Sequence, residues 1–187
     1  GGYASFLYSS YMSTKQKKLF QKTPDFDVLA EEPEQAAVIL KERLEDFDYK
    51  GVKLIKHDGI GELIAPHYEI KVKVDNIDET VAFIYKPLAC HSYNVIKKGH
   101  KTIRVATIDT MLSFYFAFYY SDRSYYDVNR ILCMAQYLFD VQQKNRLQQK
   151  GLLKRFSINC YGKQDTLEEM RNTKALKYKE LKNKRDS

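Results

Sequence analysis

The sequence predicts an α+β fold: a mixed sheet with flanking helices, followed by an all-helical C-terminal region. Three observations carry this. A short apolar run at 26–29 leads into a stretch of helical period, with Ala36, Ala37, Ile39, Leu40, Leu44 and Phe47 on one side. Three strand-like runs then follow in series. Beyond Ile103 only helical spacing recurs. Strand, helix, meander and then helices is an α+β order.

Each element has a local reason. Residues 1–14 suit a helix, with Phe6, Leu7 and Tyr11 near helical spacing, and 15–22 suit a basic connector. Glu32-Pro33-Glu34 opens the next helix, because Pro fits the first turn and acids favour a helix N-terminus. Strands are predicted at 52–55, 68–74 and 80–85. In the second, Tyr68, Ile70, Val72 and Val74 alternate with Glu69, Lys71 and Lys73, the pattern of a half-buried strand. Asp58-Gly59-Ile60-Gly61 and Asp75-Asn76 are turn sequences. Helices at 109–120 and 127–139 bury Met111, Leu112, Tyr115, Phe116 and Tyr119 in the first. The second buries Val128, Ile131, Leu132, Ala135 and Leu138. Asp109 and Asp127 are the expected caps. A helix over 142–154 breaks at Gly151, and a last one covers 166–182. The predicted division is an α+β domain at 1–96, its N-terminal part missing, and a helical domain at 97–187 with a basic tail.

Bulk properties narrow the class. The chain has 187 residues, 44% of them hydrophobic. No apolar run approaches the ~20 residues that span a bilayer, so no membrane partner is expected. It opens on Gly-Gly-Tyr, without a starting Met or a basic and apolar leader, as an excised domain would. Cys90, Cys133 and Cys160 are widely spaced without a Cys-x-x-Cys pair. That predicts neither a zinc site nor a disulfide framework, and a reduced, cytoplasmic setting. The net charge is +7, but residues 144–187 hold 13 Lys/Arg against 5 Asp/Glu, leaving 18 against 19 for the rest. Basicity concentrated in one quarter suits a polyanionic partner such as nucleic acid, or a solvated helix.

Chemistry concentrates at Thr23-Pro24-Asp25-Phe26-Asp27. Two carboxylates two residues apart on a strand share a face. There Asp25 and Asp27 would hold Mg²⁺ or Mn²⁺ against a triphosphate, since Mg²⁺ takes one or two carboxylates together with phosphate oxygens. Gly1 and Gly2 would let the backbone approach those phosphates. Solvated turn carboxylates are the alternative. Tyr93 and Asn94 are candidates for meeting a base by stacking and hydrogen bonding, or Tyr93 for inter-region packing. Lys97, Lys98, Lys101 and Arg104 cluster as a phosphate-contacting loop. Arg171, Lys174, Lys177 and Lys184 recur at helical spacings as a stripe that could track a nucleic-acid backbone or lie idle in water.

These motifs in order resemble the DNA polymerase β-type nucleotidyltransferase superfamily, and more closely the poly(A) polymerase catalytic subunits of large cytoplasmic DNA viruses. The likeness rests on Gly1-Gly2-Tyr3-Ala4, on 23–27, on 81–87 with Cys90-His91-Ser92-Tyr93-Asn94, and on 103–120. It implies a nucleotidyltransferase-like sheet and a two-metal transfer of AMP from ATP to an RNA 3′ end. It also implies a homodimer or a processivity subunit as partner, and the cytoplasm of an infected cell or the virion as location. Asp25 and Asp27 would be the first two metal ligands, and Gly1 and Gly2 the phosphate contacts. The third carboxylate belongs at Ala82 or Phe83, where none exists. Glu69 is the substitute, or Glu79 if a bulge shifts the register. Without a third acid the implied function is an inactive module that binds RNA or dimerises in a polyadenylation complex.

Overall fold

The computed structural model describes residues 1–18, 24–121, 123 and 126–186. Lys22 of the connector, Thr23 of the carboxylate motif and Tyr125 lie outside the described residues. The fold is α+β.

Four strands build the principal sheet: β1 (Phe26–Leu29), β2 (Lys53–His57), β3 (His67–Val74) and β4 (Ile77–Tyr85). Their order is β1-β4-β3-β2, with β1 parallel to β4 and the other pairs antiparallel. Asp75 and Asn76 turn β3 into β4 with φ of 48° and 66°. Two left-handed residues match the right-handed twist of a two-residue hairpin, and Asp and Asn tolerate that region. The pairing slips by one between Ile70 and Lys71, so Val81 is an extra residue on β4.

Helix α3 (Pro33–Asp46) starts with Pro in its first turn and Glu34 beside it. It lays Ala36, Ala37, Leu40 and Leu44 on the sheet face made by Tyr68, Ile70, Val72 and Ile84. The alternation predicted for 68–74 is therefore real, but Val74 is exposed at its end. The N-terminal helix is shorter than expected. Helix α1 (Gly2–Tyr8) gives way to a 3-10 turn at Ser9–Tyr11, and α2 (Thr14–Lys17) begins anew under a Ser13/Gln16 capping box.

A second sheet was not foreseen. Strands β5 (His91–Lys98) and β6 (Lys101–Ala106) form a hairpin, and β7 (Cys160–Tyr161) joins the other side of β5. The C-terminal region is thus not purely helical, and the expected boundary at 96/97 falls inside β5. Cys90 and Cys160 form a disulfide with Cα atoms 5.3 Å apart. This corrects the expectation of no disulfide. Spacing 70 residues apart carries no sign that β7 pairs beside Cys90.

Helices α4 (Ile108–Tyr120) and α5 (Val128–Lys144) pack on each other. Thr107, not Asp109, caps α4, its Oγ1 accepting from the Thr110 N–H at 3.3 Å. Asp127 caps α5 as expected, accepting from the Arg130 N–H at 3.1 Å. On α4 the buried face is Ile108, Met111, Tyr115 and Phe118, while Phe116 and Tyr119 face outward. On α5, Ile131, Ala135, Leu138 and Val141 are buried, whereas Val128 and Leu132 are exposed. The helix expected over 142–154 reduces to the end of α5 and a 3-10 turn at Gly151–Leu153. The last helix, α6 (Leu167–Asp186), starts with a Thr166/Glu169 capping box. Among the described residues, no helix is long and apolar enough to cross a membrane. One core joins α1, the principal sheet and α4–α5 through Tyr8, Tyr85, Met111, Tyr115 and Leu138.

Candidate functional site

The face of the principal sheet opposite α3 carries charged and aromatic side chains, and strand pairing dictates which ones it presents. Asp27, Phe83, Glu69 and Ile55 stand in register across the four strands. One step along, Leu29, Tyr85, His67 and His57 do the same. Helices α4 and α5 pack on this surface at Tyr85 but leave a space beside Asp27 and Glu69. Between them lies a cavity of about 630 Å³. Asp25, Asp27, Glu69 and Lys71 line its sheet side, and Tyr115, Phe118, Asp127 and Arg130 its helical side.

Asp25 and Asp27 come together at the β1 end, beneath the start of α1. The Gly2 N–H donates to Asp27 Oδ2 at 3.2 Å, and the Tyr3 N–H to the Asp25 carbonyl at 2.9 Å. Glycine is required here. A Cβ at Gly2 would sit 2.2 Å from Asp25 Oδ1, and one at Gly1 would reach 2.4 Å from Asp27 Cβ. Burial pushes the Asp25 carboxyl above its usual range, and the neighbouring Asp27 charge raises it further. The Arg130 guanidinium only partly opposes them. Ionising Asp25 is therefore costly while no cation lies beside it.

Phe83 occupies the place of a third acid. It is the residue of β4 directly beside Asp27 and on the same face. Glu69 shares that face and lines the same cavity, but it stands one strand further, about 10 Å from β1 at two strand spacings. Its oxygens are engaged. Thr80 Oγ1 donates to Oε1 at 2.5 Å, His57 Nε2 lies 2.8 Å from Oε2, and Lys71 Nζ 3.4 Å from Oε1. Burial alone would raise the Glu69 carboxyl. The bonds from Thr80 and His57 and the Lys71 charge outweigh it and hold the group below its ordinary value. Glu79 is not brought in. The bulge exists but acts the opposite way, putting Thr80 opposite Lys71 on the cavity side and Glu79 opposite Val72 on the α3 side. Among the described residues, no group of three His, Cys, Asp or Glu side chains is placed to hold a metal.

Other expected site residues lie elsewhere. Asn94 is buried on β5, its amide donating to the carbonyls of Leu152 and Lys154 at 3.2 and 2.7 Å. Tyr93 lies under the Arg104 guanidinium, 5.4 Å from its ring centre. Neither lines the cavity. Lys97, Lys98, Lys101 and Arg104 are exposed on the β5–β6 hairpin rather than a loop. Register divides them, Lys98 and Lys101 on one face, Lys97 and Arg104 on the other. Lys98 Nζ reaches the Tyr3 hydroxyl at 3.4 Å. Arg171, Lys174 and Lys177 are exposed on α6.

Arg130, Asp127, Lys71 and His57 were not foreseen at the site. Lys71 and His57 were legible in principle, because strand alternation puts them on the face of Glu69. Arg130 and Asp127 were not, since only the docking of α5 brings them to the sheet. No family model matches the chain, and no curated protein does.

Proposed function

We propose that the chain is a template-independent RNA nucleotidyltransferase that adds AMP from ATP to RNA 3′ ends. One observation carries this. Asp25 and Asp27 meet on one sheet face, beneath Gly1 and Gly2, in a cavity large enough for a nucleotide. The donor set fits one divalent ion, because two neighbouring carboxylates on one cavity wall match a Mg²⁺ or Mn²⁺ that also takes phosphate oxygens. It does not fit a second ion, since Phe83 stands where the third acid would be.

Asp25 and Asp27 would hold the ion, which would supply charge neutralisation and Lewis-acid activation of the phosphate. Gly1 and Gly2 keep side chains out of the phosphate approach. Arg130 and Lys71, on opposite walls, supply positive charge to the remaining phosphate oxygens. Glu69 positions His57 through a hydrogen bond and Lys71 through an ion pair. Tyr115 and Phe118 line the helical side with aromatic surface.

The test is incorporation of labelled ATP into an RNA primer with Mg²⁺ or Mn²⁺. Wild-type protein should extend the primer, and Asp25→Ala should lose at least about 100-fold, the scale of losing a charge-stabilising group in a reaction centre. Undiminished extension by Asp25→Ala removes the assignment. Phe83 favours one second reading, a nucleotidyltransferase-like module that binds nucleotide and RNA without transfer. It predicts Mn²⁺-dependent ATP binding, abolished by Asp25→Ala, with no extension by wild-type protein.

A further inference from the structure

Helix α6 is the part of the molecule that its own core does not explain. It runs for 20 residues, and none of them is buried. Leu167, Tyr178 and Leu181 are each about two-thirds or more exposed. Its opening is nonetheless well built, since Thr166 and Glu169 cap each other and Lys163 pairs with Glu169 at 2.7 Å. A helix that starts this firmly and stays exposed presents a surface.

That surface is sorted by charge. At about 3.6 residues per turn, Arg171, Lys174, Lys177 and Lys182 fall on one half of the helix. The acids Glu168, Glu169, Glu180 and Asp186 fall on the other half, with Lys179 the one cation among them. Among the described residues, none of those four cations is in an ion pair. The cationic stripe from Arg171 to Lys182 is about 16 Å long at 1.5 Å per residue. Tyr178 and Leu181 lie within it.

This mixture selects among partners. A helix lying on a membrane separates its apolar face from its cationic one. Here the two coincide, so sinking Leu181 and Met170 into lipid would take Lys174 with them. A second copy packed as a coiled coil would place Lys174 and Lys177 in the seam, where like charges meet. Single-stranded nucleic acid accepts both components at once, cations on phosphates and an aromatic ring against a base. We propose that the basic face of α6 is a docking surface for single-stranded RNA, separate from the cavity. The surface itself selects single-stranded nucleic acid; that it is RNA rests on the proposed transfer.

The experiment is fluorescence anisotropy of a labelled single-stranded 20-nucleotide RNA, titrated with the full chain at several salt concentrations. Three variants are compared: Arg171→Ala/Lys174→Ala/Lys177→Ala, Tyr178→Leu and Tyr178→Phe. Alanine favours helix, and circular dichroism checks that α6 persists. The triple variant should bind at least about 10-fold more weakly. Its log–log salt slope should be shallower by about 2, since each single-strand phosphate contact contributes about 0.7. Tyr178→Leu should weaken binding about fivefold or more, and Tyr178→Phe should restore it, as base stacking requires. Wild-type affinity and slope in the triple variant overturn the proposal. So does binding of the wild type to phosphatidylserine vesicles without binding to the RNA. Divalent-dependent ATP binding should be unchanged in all three variants and lost in Asp25→Ala, so failure here and failure at the cavity are told apart.

Discussion

At the scale of single residues, Asp25 is the informative case. Burial and the Asp27 charge raise its carboxyl above the ordinary range, so its ionised form costs stability while no cation is bound. For a raised carboxylate that cost is fully present at neutral pH and is relieved as pH falls through the raised pKa. Asp25→Asn should therefore stabilise the metal-free protein at pH 7 by about 1 kcal/mol, the gain typical of relaxing a functional site. The gain should vanish on acidification toward pH 4, while Mn²⁺ affinity drops at neutral pH. Thermal melts at the two pH values, with calorimetric Mn²⁺ titrations, check this. A variant no more stable than wild type at pH 7 contradicts it. Asp25 and Asp27 were legible as a pair because alternation alone puts them on one face. The α4 cap was not: Asp109 and Thr107 both suit the N-terminus, and docking gave the capping position to Thr107.

At the scale of elements, Glu69 ties three strands together. It stands on β3, bonds Thr80 of β4 and His57 of β2, and pairs with Lys71 on its own strand. Its lowered carboxyl contributes stability that is present above the unfolded-state pKa and lost as pH falls through the folded one. Glu69→Gln keeps the shape but removes the charge that holds His57 and Lys71. It should cost about 1.5–3 kcal/mol in urea unfolding at pH 7, the range for hydrogen bonds to a charged group. The difference from wild type should shrink below pH 4. Equal midpoints at pH 7 would show that the network contributes nothing. The alternation of 68–74 was plain because one face packs on α3. The other face offered Glu69 as a site residue, but nothing local reveals that α4 and α5 stand over it across a cavity. Strands β5 and β6 escaped for a related reason. His91-Ser92-Tyr93-Asn94 carries no apolar alternation, and its pairing comes from the hairpin and β7.

At the scale of the whole molecule, the helical region is not an appendage to the sheet. Tyr8, Tyr85, Met111, Tyr115 and Leu138 share one core, so the walls of the cavity are set by the same packing that holds the fold. No stretch of sequence announces this, because each contributor comes from a different element. The Cys90–Cys160 disulfide acts at this scale too, enclosing β5, β6, α4 and α5 in a loop of 70 residues. Closing a loop of that length restricts the unfolded chain by up to about 4 kcal/mol in the chain-entropy account. Tyr161, next to the bond, reaches the end of β1, its hydroxyl accepting the Glu31 N–H at 3.2 Å. Losing the bond should thus loosen β7 from β5 and from the carboxylate strand, while α3 and its sheet face keep their own cluster. Cys90→Ser/Cys160→Ser should lower the urea midpoint by an amount worth about 2–4 kcal/mol. Hydrogen exchange should accelerate in β5 and β7 before β3 and β4. Reduction of the wild type should reproduce both effects, whereas an unchanged midpoint in the double variant would mean that the bond carries no stability.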